Sequence, residues 1–329
     1  MTFPVHRSDE ATAAQRGEAF GRAMATEVQH TVAVYRRMFD ERGVAVPDSL
    51  PPHEEIDAIA HGADVDPRFL RAVNARTELL NGADECSVQG AGGLLAQNWD
   101  WHPDLAASTV IWIVEHDARW FATVTEAGIL AKIGLNDAGL GVCLNILRTT
   151  ADGGTHGTPI HILLRTVLET ASTVDEAIEL LISATVTASS AVTVATPGDV
   201  AHVELSPGGA NVLRGAVGAH TNHFIVPPKA GTDVMATESP TTHQRLEVVK
   251  TQPLLDALRS HDGHPKGVCR HVDPDDPWVD QTITVASVVM DLEKRRLHVA
   301  AGPPCSHAHR EVKLPTPSSS GRLASTAAR

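Results

Sequence analysis

The amino-acid sequence predicts an α+β protein in which helices pack outside a pair of stacked sheets. Three features indicate this fold class. The first 80 residues have the apolar periodicity of helices, short strand-like runs follow them, and a pair of helical segments separates two groups of these runs. Strands and helices with one apolar face must cover that face with another layer, which favours a layered fold. No motif repeats at a fixed period, which excludes solenoids and propellers.

The helical prediction for the first 80 residues depends on the spacing of large apolar side chains. Between Glu10 and Arg42 they recur every three or four residues, at Phe20, Met24, Val28, Val32, Tyr35 and Phe39. The pair Pro51-Pro52 interrupts this pattern. Asp66-Pro67 is a typical helix start, with an N-cap residue followed by proline. No strand is predicted before Gly82.

From Cys86 to Asn145 the chain alternates short β-type runs with Gly and Asp. The predicted strands are residues 93–101, 108–116, 120–126 and 140–145. Residues 109–114 are almost continuously apolar, as in a strand that is covered on both faces.

The second half of the chain supplies the other predicted elements. Helices are expected after Thr158-Pro159 and after Thr173-Val-Asp-Glu176, which has the pattern of a capping box. Further strands are predicted over residues 189–213 and 218–226. A helix over 243–258 and a hairpin formed by 282–291 and 296–300 close the fold. Residues 315–329, rich in Ser, Thr, Ala and Pro, are predicted to be a disordered tail.

Composition and charge exclude several classes of protein. Of the 329 residues, 42% are apolar and 20% charged, which is typical of globular proteins. The formal net charge of −13 argues against binding to nucleic acid or to an anionic membrane surface. No apolar run reaches the roughly 18 residues of a membrane-spanning helix, and the N-terminus lacks a secretion signal. We therefore expect a cytoplasmic protein whose four cysteines are free thiols, and a homo-oligomer is left open.

Common cofactor and catalytic motifs are absent from the sequence. There is no Gly-x-Gly-x-x-Gly after a strand, no Walker-type loop, no His-Glu-x-x-His and no Gly-x-Ser-x-Gly. Two close histidine pairs, His220/His223 and His307/His309, have no cysteine or carboxylate at a metal-binding spacing. We therefore expect no metal and no cofactor.

Cys86 stands where the helical pattern changes to the strand pattern. The turn Gly90-Ala-Gly-Gly93 would fold residues 86–89 back against residues 94–101. With a three-residue loop, Cys86 would lie opposite Asn98, with Asp100 as its diagonal neighbour on the same face, about 7–8 Å away. A two-residue loop would place Asp100 on the other face. A small core cysteine and an aspartate that binds backbone groups are the simpler interpretations of these two residues.

Several strings along the chain resemble those of one family. They are Asn74-Ala-Arg-Thr-Glu78, Glu85-Cys86, Gln97-Asn-Trp-Asp-Trp101, Thr125-Glu-Ala-Gly128, Gly139-Leu-Gly-Val142, Thr221-Asn-His223 and Thr242-His-Gln-Arg245. From about Gly17 to Pro304 the chain resembles the acyl-coenzyme A:6-aminopenicillanic acid acyltransferase family, cysteine enzymes of the N-terminal-nucleophile hydrolase superfamily. The resemblance implies the fold of that superfamily, a four-layer αββα sandwich of two mainly antiparallel sheets.

The resemblance also implies that the protein cuts itself between Glu85 and Cys86. Residues 1–85 would form a helical pro-segment, or α-chain, that stays bound to a β-chain of residues 86–314. The cut would give Cys86 a free α-amine, which titrates near ~7.7–8.0 and can act as general base for its own thiol. No histidine partner for Cys86 is then required.

Three further site residues follow from the resemblance. Asp100 would orient the new α-amine and stabilise its charged form. Asn222 would donate its side-chain amide to the oxyanion of the tetrahedral intermediate, and the backbone N–H of Asn145 would complete that oxyanion hole. Turn formation is the alternative interpretation of both asparagines.

The sequence departs from the family pattern in three places. Fungal members have glycine before the nucleophile, where this chain has Glu85. A family arginine near the start of the last hairpin aligns with Gln281, so a positive charge is missing there. The short strand expected at the extreme N-terminus has little support in residues 2–6.

These observations predict a self-processing cysteine amidohydrolase that cleaves a small non-peptide N-acyl amide through a Cys86 thioester. An acyltransferase, passing the acyl group from an amide or from acyl-coenzyme A to a second amine, would use the same residues. Two alternatives from other classes are a non-catalytic binding protein with this fold and a histidine-assisted thiol protease.

Overall fold

The computed structural model describes residues 2–80, 86–215 and 218–315. The described residues up to 80 form one strand followed by helices. These elements are β1 (Val5–Ser8), α1 (Ala13–Ala23), α2 (Ala25–Arg42), α3 (Glu54–Gly62), α4 (Pro67–Asn74) and α5 (Arg76–Leu79). Asp66 caps α4 as predicted, with its side chain accepting a hydrogen bond from the Arg68 backbone N–H.

The remaining elements build two sheets and the helices beside them. In chain order they are β2 (Cys86–Ala91), β3 (Leu94–Trp101), β4 (Thr109–His116), β5 (Arg119–Glu126), β6 (Ile133–Asn136), β7 (Gly141–Ile146), α6 (Ile160–Thr170), α7 (Val174–Ser183), β8 (Ser190–Thr196), β9 (Asp199–Ser206), β10 (Gly209–Arg214), β11 (Ala219–His220), α8 (Met235–Glu238), α9 (Thr242–Thr251), α10 (Leu254–Arg259), β12 (Ile283–Asp291), β13 (Arg296–Ala300) and β14 (Arg310–Val312).

Among the described residues the strands form an eight-stranded and a six-stranded sheet. The first has the order β1-β4-β5-β6-β7-β8-β9-β10, and the second has the order β11-β2-β3-β12-β13-β14. The pair β1/β4 is parallel and the other pairs described here are antiparallel.

The two sheets stack face to face with helices on both outer sides. Strands β2 and β3 contact β7 across the interface, and the Gln97 side chain on β3 donates to the Leu144 carbonyl (2.5 Å) and accepts from its N–H (3.2 Å). Helices α6 and α7 pack on the eight-stranded sheet, and α9 and α10 pack on the six-stranded sheet. This arrangement confirms the predicted four-layer αββα sandwich.

The structure corrects several predicted elements. Strand β1 exists, although no strand was predicted before Gly82, because a four-residue edge strand has too little periodicity to be recognised. Strand β6 was also missed, and Pro253 divides the predicted helix 243–258 into α9 and α10. Within residues 218–226 only β11 is a strand, since the N–H groups of Phe224 and Ile225 donate to carboxylates instead of to a neighbouring strand.

The family-like string at residues 74–78 connects the N-terminal helices to the sheets. The Asn74 amide donates to the Gly128 carbonyl (2.8 Å) and accepts from the Leu130 N–H (3.0 Å). The Glu78 carboxylate accepts from the Ile160 N–H (3.0 Å) at the start of α6. These bonds satisfy buried backbone groups of later segments, so residues 2–80 are part of the core structure.

A buried charged cluster around Glu126 strengthens the same connection. Glu126 accepts from Lys132 (2.7 Å) and from the Tyr35 hydroxyl (2.9 Å), and Arg76 Nε lies 3.9 Å away. Lys132 and Arg76 lower the pKa of Glu126 to about 2, although burial acts in the opposite direction. The carboxylate is therefore held in its charged form by groups from both parts of the chain.

We expect Glu126→Gln to lower the free energy of unfolding at pH 7 by about 3 kcal/mol, given the difference between a pKa of about 2 in the folded protein and about 4.5 in the unfolded chain. Because the folded pKa is depressed, this stabilisation is present above pH 4.5 and is lost as pH falls towards 2. Urea unfolding measured across this range checks the prediction. Glu293→Gln, at an exposed position, is the control, and a wild-type pH profile in Glu126→Gln would contradict the argument.

The described residues also bear on the thiol and membrane predictions. All four cysteines are free, as expected, with Cys86, Cys143 and Cys269 buried and Cys305 exposed. No helix in the described part of the chain has the length and apolar character needed to cross a membrane. The predicted tail lies, apart from Pro315, outside the described residues.

Candidate active site

A two-residue turn sets the register of the hairpin that begins at Cys86. Gly92 and Gly93 join β2 to β3 with φ angles of 57° and 80°, which is the pattern of a type I′ turn. Cys86 therefore pairs with Trp99. Of the two loop lengths considered, the structure has the two-residue loop, so Cys86 does not pair with Asn98 and does not share a face with Asp100. Consecutive glycines allow this tighter turn.

Cys86 is 4% exposed and is held through both of its backbone polar groups. Its N–H donates to Asn222 Oδ1 (2.8 Å). Its carbonyl oxygen accepts from Asn145 Nδ2 (2.9 Å) and from Arg245 Nη1 (2.9 Å). Its Sγ lies 4.0 Å from the backbone oxygen of Asp100. These contacts fix the nitrogen and the carbonyl on either side of the thiol-bearing Cα.

Asn222 reaches Cys86 because β11 pairs with β2, bringing His220 opposite Val88. The side chain is fully buried, and its Nδ2 donates to the Ile146 carbonyl (2.9 Å) at the end of β7. The backbone N–H of Asn222 donates to the Thr242 hydroxyl (2.9 Å). Asn222 thus links the six-stranded sheet, the end of β7 and α9 at the Cys86 nitrogen.

Asn145 approaches Cys86 from the opposite sheet. It lies on β7, is fully buried, and uses its side-chain amide for the bond to the Cys86 carbonyl. Its Oδ1 is buried without a hydrogen-bond partner among the described residues. The resemblance had implied a role for the backbone N–H, whereas the contact seen here is made by the side chain.

Arg245 is a component of the site that sequence reasoning did not assign. From α9 its guanidinium donates to the Cys86 carbonyl, to Ser87 Oγ (3.0 Å) and to Asn222 Oδ1 (3.1 Å). Burial lowers its pKa to about 10, while the negative charges of Asp100 and Cys86 act in the opposite direction. The sequence signal that could have identified Arg245 was its place in the family-like string Thr242–Arg245. In the structure this string lies in a helix that packs on the sheet.

The Asp100 carboxylate faces the outer helical side of its sheet. Its Oδ1 accepts from the Thr284 hydroxyl (2.6 Å), and its Oδ2 lies 3.7 Å from Arg270 Nε. Complete burial raises the pKa of Asp100 well above its ordinary value, and Thr284 and Arg245 oppose this rise. Burial also lowers the pKa of Arg270 to about 9. The atom of Asp100 that lies 4.0 Å from the Cys86 sulfur is its backbone oxygen.

A cavity of about 170 Å³ opens beside Arg270. Its walls combine apolar side chains with charged ones, namely Met38, Arg42, Leu80, Trp101, His102, Pro240, Lys266, Arg270, Asp276, Val279, Asp280, Gln281 and Thr282. Gln281 is the position where the family arginine is missing. Arg42, Lys266 and Arg270 supply positive charge to the same cavity, and Asp280 and Asp276, which pair with Arg42 and Lys266, supply negative charge.

Comparison with known families decides the classification. The family model for acyl-coenzyme A:6-aminopenicillanic acid acyl-transferase matches residues 87–305, which is more than half of the 329 residues. The chain belongs to this family. The match begins one residue after Cys86. Membership confirms the resemblance seen in the sequence, and the chain is a hydrolase or an N-acyltransferase.

Individual relatives are more distant. The chain is 28% identical over 275 residues to the acyl-coenzyme A:6-aminopenicillanic-acid-acyltransferase 40 kDa form of Emericella nidulans, covering 77% of this chain and 75% of that protein. Penicillin V acylase from Agrobacterium tumefaciens is 18% identical, with a TM-score of 0.45, covering 66% of this chain and 82% of that chain. A mutant conjugated bile acid hydrolase from Clostridium perfringens is 13% identical, with a TM-score of 0.44, covering 70% of this chain and 97% of that chain.

The structure brings Cys86, Asn145 and Asn222 into direct contact, and Asp100 joins them through its backbone. The two histidines that flank Asn222 are engaged elsewhere. His220 is bonded to Glu204 (3.0 Å) and to the Thr221 carbonyl (2.7 Å), and His223 is bonded to the Thr242 hydroxyl (2.9 Å). Burial lowers the pKa of His223 to about 3, with His243 contributing in the same direction. These contacts give both histidines structural roles and weaken the histidine-assisted protease alternative.

Proposed function

We propose that the protein cuts itself between Glu85 and Cys86 and then cleaves a small non-peptide N-acyl amide through a Cys86 thioester. One observation carries the proposal. The nitrogen and the carbonyl of Cys86 are both bound by buried side chains, and these groups lie beside the thiol in a member of a cysteine acyltransferase family. Glu85 and the bond to be cut lie outside the described residues.

In the processing step, the Cys86 thiol attacks the carbonyl carbon of residue 85. The bond from that carbon to the Cys86 nitrogen breaks, the nitrogen takes up a proton, and a thioester remains. Water then cleaves the thioester, releasing the carboxylate of residue 85 and restoring the thiol. The product is an N-terminal Cys86 whose α-amine titrates near ~7.7–8.0.

In turnover, the α-amine accepts the thiol proton while the sulfur attacks the acyl carbonyl of the substrate. The proton passes to the leaving amine, and water hydrolyses the thioester. Asn222 Oδ1 already holds the Cys86 nitrogen at 2.8 Å, so it would orient the amine. Asn222 Nδ2 would exchange its bond to the Ile146 carbonyl for one to the oxyanion. Asn145 and Arg245 would keep the Cys86 carbonyl in place.

We assign Asp100 an electrostatic role towards the α-amine, since it lies on β3, which pairs with the strand that begins at Cys86, and its backbone oxygen is 4.0 Å from Cys86 Sγ. We expect Asp100→Asn to lower kcat by roughly tenfold or more and to change the urea midpoint less, because asparagine keeps the volume and can still accept from Thr284. Asp199→Asn, at a half-exposed position, is the control. Unchanged turnover in Asp100→Asn would remove this residue from the mechanism.

Hydrolysis is the reaction we favour, because water needs no dedicated binding site. The alternative is acyl transfer to a second amine, which the name of the Emericella nidulans relative supports. The cavity beside Arg270 is the proposed acyl or amine pocket, with room for a small group next to charged side chains. A panel of N-acylated amines, with the free acid and the free amine both quantified, separates the two. Acid and amine in equal amounts indicate hydrolysis, and a deficit of acid when an acceptor amine is added indicates transfer.

Intact-mass analysis of the purified wild-type chain tests the self-cleavage. The proposal predicts two species that join at Glu85/Cys86. A fully active protein that is still one chain would refute it. An uncut protein that binds amides without turning them over would instead support the non-catalytic alternative.

A further inference from the structure

Four potential metal ligands meet near the end of the six-stranded sheet, away from the contacts of Cys86. They are His261 after α10, Cys269 and His271 in the loop before β12, and Cys305 after β13. One nitrogen or sulfur atom from each side chain lies within 4.8 Å of all the others. We refer to these four residues as the His2Cys2 cluster.

The distances within the cluster match those around a tetrahedral ion. His271 Nε2 lies 3.2 Å from His261 Nε2, 3.8 Å from Cys269 Sγ and 3.5 Å from Cys305 Sγ. Zinc bonds of about 2.3 Å to sulfur and about 2.0–2.1 Å to nitrogen, at tetrahedral angles, place two nitrogens about 3.3 Å apart and a nitrogen and a sulfur about 3.6 Å apart. The three separations from His271 Nε2 are therefore close to those expected around one tetrahedral zinc ion, and the remaining pairs lie within 4.8 Å.

We propose that the His2Cys2 cluster binds one zinc ion with a structural role. Two thiolates and two imidazoles in tetrahedral geometry are a ligand set that favours zinc over magnesium or calcium. Four protein ligands complete the coordination and leave no position for water or substrate, which is the arrangement of a structural site. The four ligands come from three separate segments of the chain, so ligand spacing along the sequence did not indicate them, and the expectation of no metal is corrected by this proposal.

The ion would fix the loop that carries Arg270 to Asp100, on the outer helical side of the six-stranded sheet. Cys269 and His271 flank Arg270, whose backbone N–H donates to Thr284 Oγ1 (2.9 Å) and whose Nε lies 3.7 Å from Asp100. The carbonyl of Val268 accepts from Asn98 of β3 (2.8 Å). Binding by His261 and Cys305 would connect this loop to α10 and to the segment after β13, so the zinc would stabilise the wall of the cavity beside Arg270.

Metal analysis of the full chain tests the proposal, in wild type and in a Cys86→Ala background that removes the other reactive thiol. We expect about one zinc per chain after purification and extensive dialysis, as for a structural site. After chelation, added Co²⁺ should give the absorption bands of a tetrahedral cobalt–thiolate centre, and Tm should fall until metal is restored. Because the readouts are metal content and absorption, the result does not depend on whether the chain cuts itself.

Variants at the two exposed ligands distinguish this site from non-specific binding. Cys305→Ser and His261→Ala should each lose most of the zinc and the cobalt–thiolate bands, while far-ultraviolet circular dichroism shows that the fold is kept. His116→Ala, an exposed histidine on β4, should retain both signals. A wild-type chain that purifies without zinc and binds no Co²⁺, or a mass lower by two hydrogens that shows a Cys269–Cys305 disulfide, would overturn the proposal.

Discussion

Cys86→Ala is expected to stay a single chain and to lose turnover completely. The substitution replaces the thiol with hydrogen and so removes the sulfur that attacks the upstream carbonyl. Neither the free α-amine nor the nucleophile is then formed. The side chain is buried and small, and its backbone contacts with Asn222, Asn145 and Arg245 do not use the sulfur, so the fold should be retained. Intact mass and product release from N-acylated amines measure the two effects.

Cys143→Ala is the matched control for this experiment. Cys143 is a second fully buried thiol, on β7, and burial, together with the nearby Cys86, raises its pKa well above the ordinary value, so it is protonated and unreactive. We expect this variant to be cut and to turn over substrate like the wild type, apart from a small loss of stability. Cleavage that persists in Cys86→Ala, or that disappears only in Cys143→Ala, would contradict the assignment of Cys86.

Substitution of Asn222 is expected to have the second largest effect. Loss of one oxyanion donor lowers kcat by about 10²–10³-fold, or about 2.7–4 kcal/mol, and should change KM much less. Asn222→Ala removes the donor and also the acceptor that holds the Cys86 nitrogen. Asn222→Asp keeps an acceptor of the same size, next to Arg245 Nη2 at 3.1 Å, and replaces the donor with a carboxylate oxygen that would repel the oxyanion.

Both variants should therefore turn over slowly when kcat and KM are measured on fully cut protein. Wild-type kcat in Asn222→Asp would show that the residue acts only as an acceptor for the nitrogen. A loss confined to KM in Asn222→Ala would place the residue in substrate binding and contradict the oxyanion role.

The string Gln97-Asn-Trp-Asp100 shows how much of this site could be predicted. Its residues were recognised as a unit, and the structure gives three of them separate contacts: Gln97 to the opposite sheet, Asn98 to the carbonyls of Leu258 and Val268, and Asp100 to Thr284. The face on which each residue lies depends on the length of one glycine turn. A change of one residue in that loop reverses the faces, so the sequence alone left the geometry of Asp100 open.

Contacts between distant segments were beyond prediction for a different reason. Arg245 and Arg270 approach Cys86 and Asp100 because α9 and the loop before β12 pack on the six-stranded sheet, and local periodicity contains no information about that packing. The layered fold was predictable, since it follows from runs of apolar residues whose periods of two and 3.6 are local properties.

Strand β1 has a consequence for the protein after processing. Residues 5–8 pair with residues 111–114 of β4, and Arg7 donates a hydrogen bond to the carbonyl of Lys313. After a cut before Cys86, these contacts would hold the two polypeptides together. Size-exclusion chromatography would then show one species with an unchanged elution volume. If residues 86–329 were produced alone, β4 would become an exposed apolar edge strand, which favours aggregation. The shorter polypeptide would thus be a permanent subunit of the enzyme, with no role as a discarded leader.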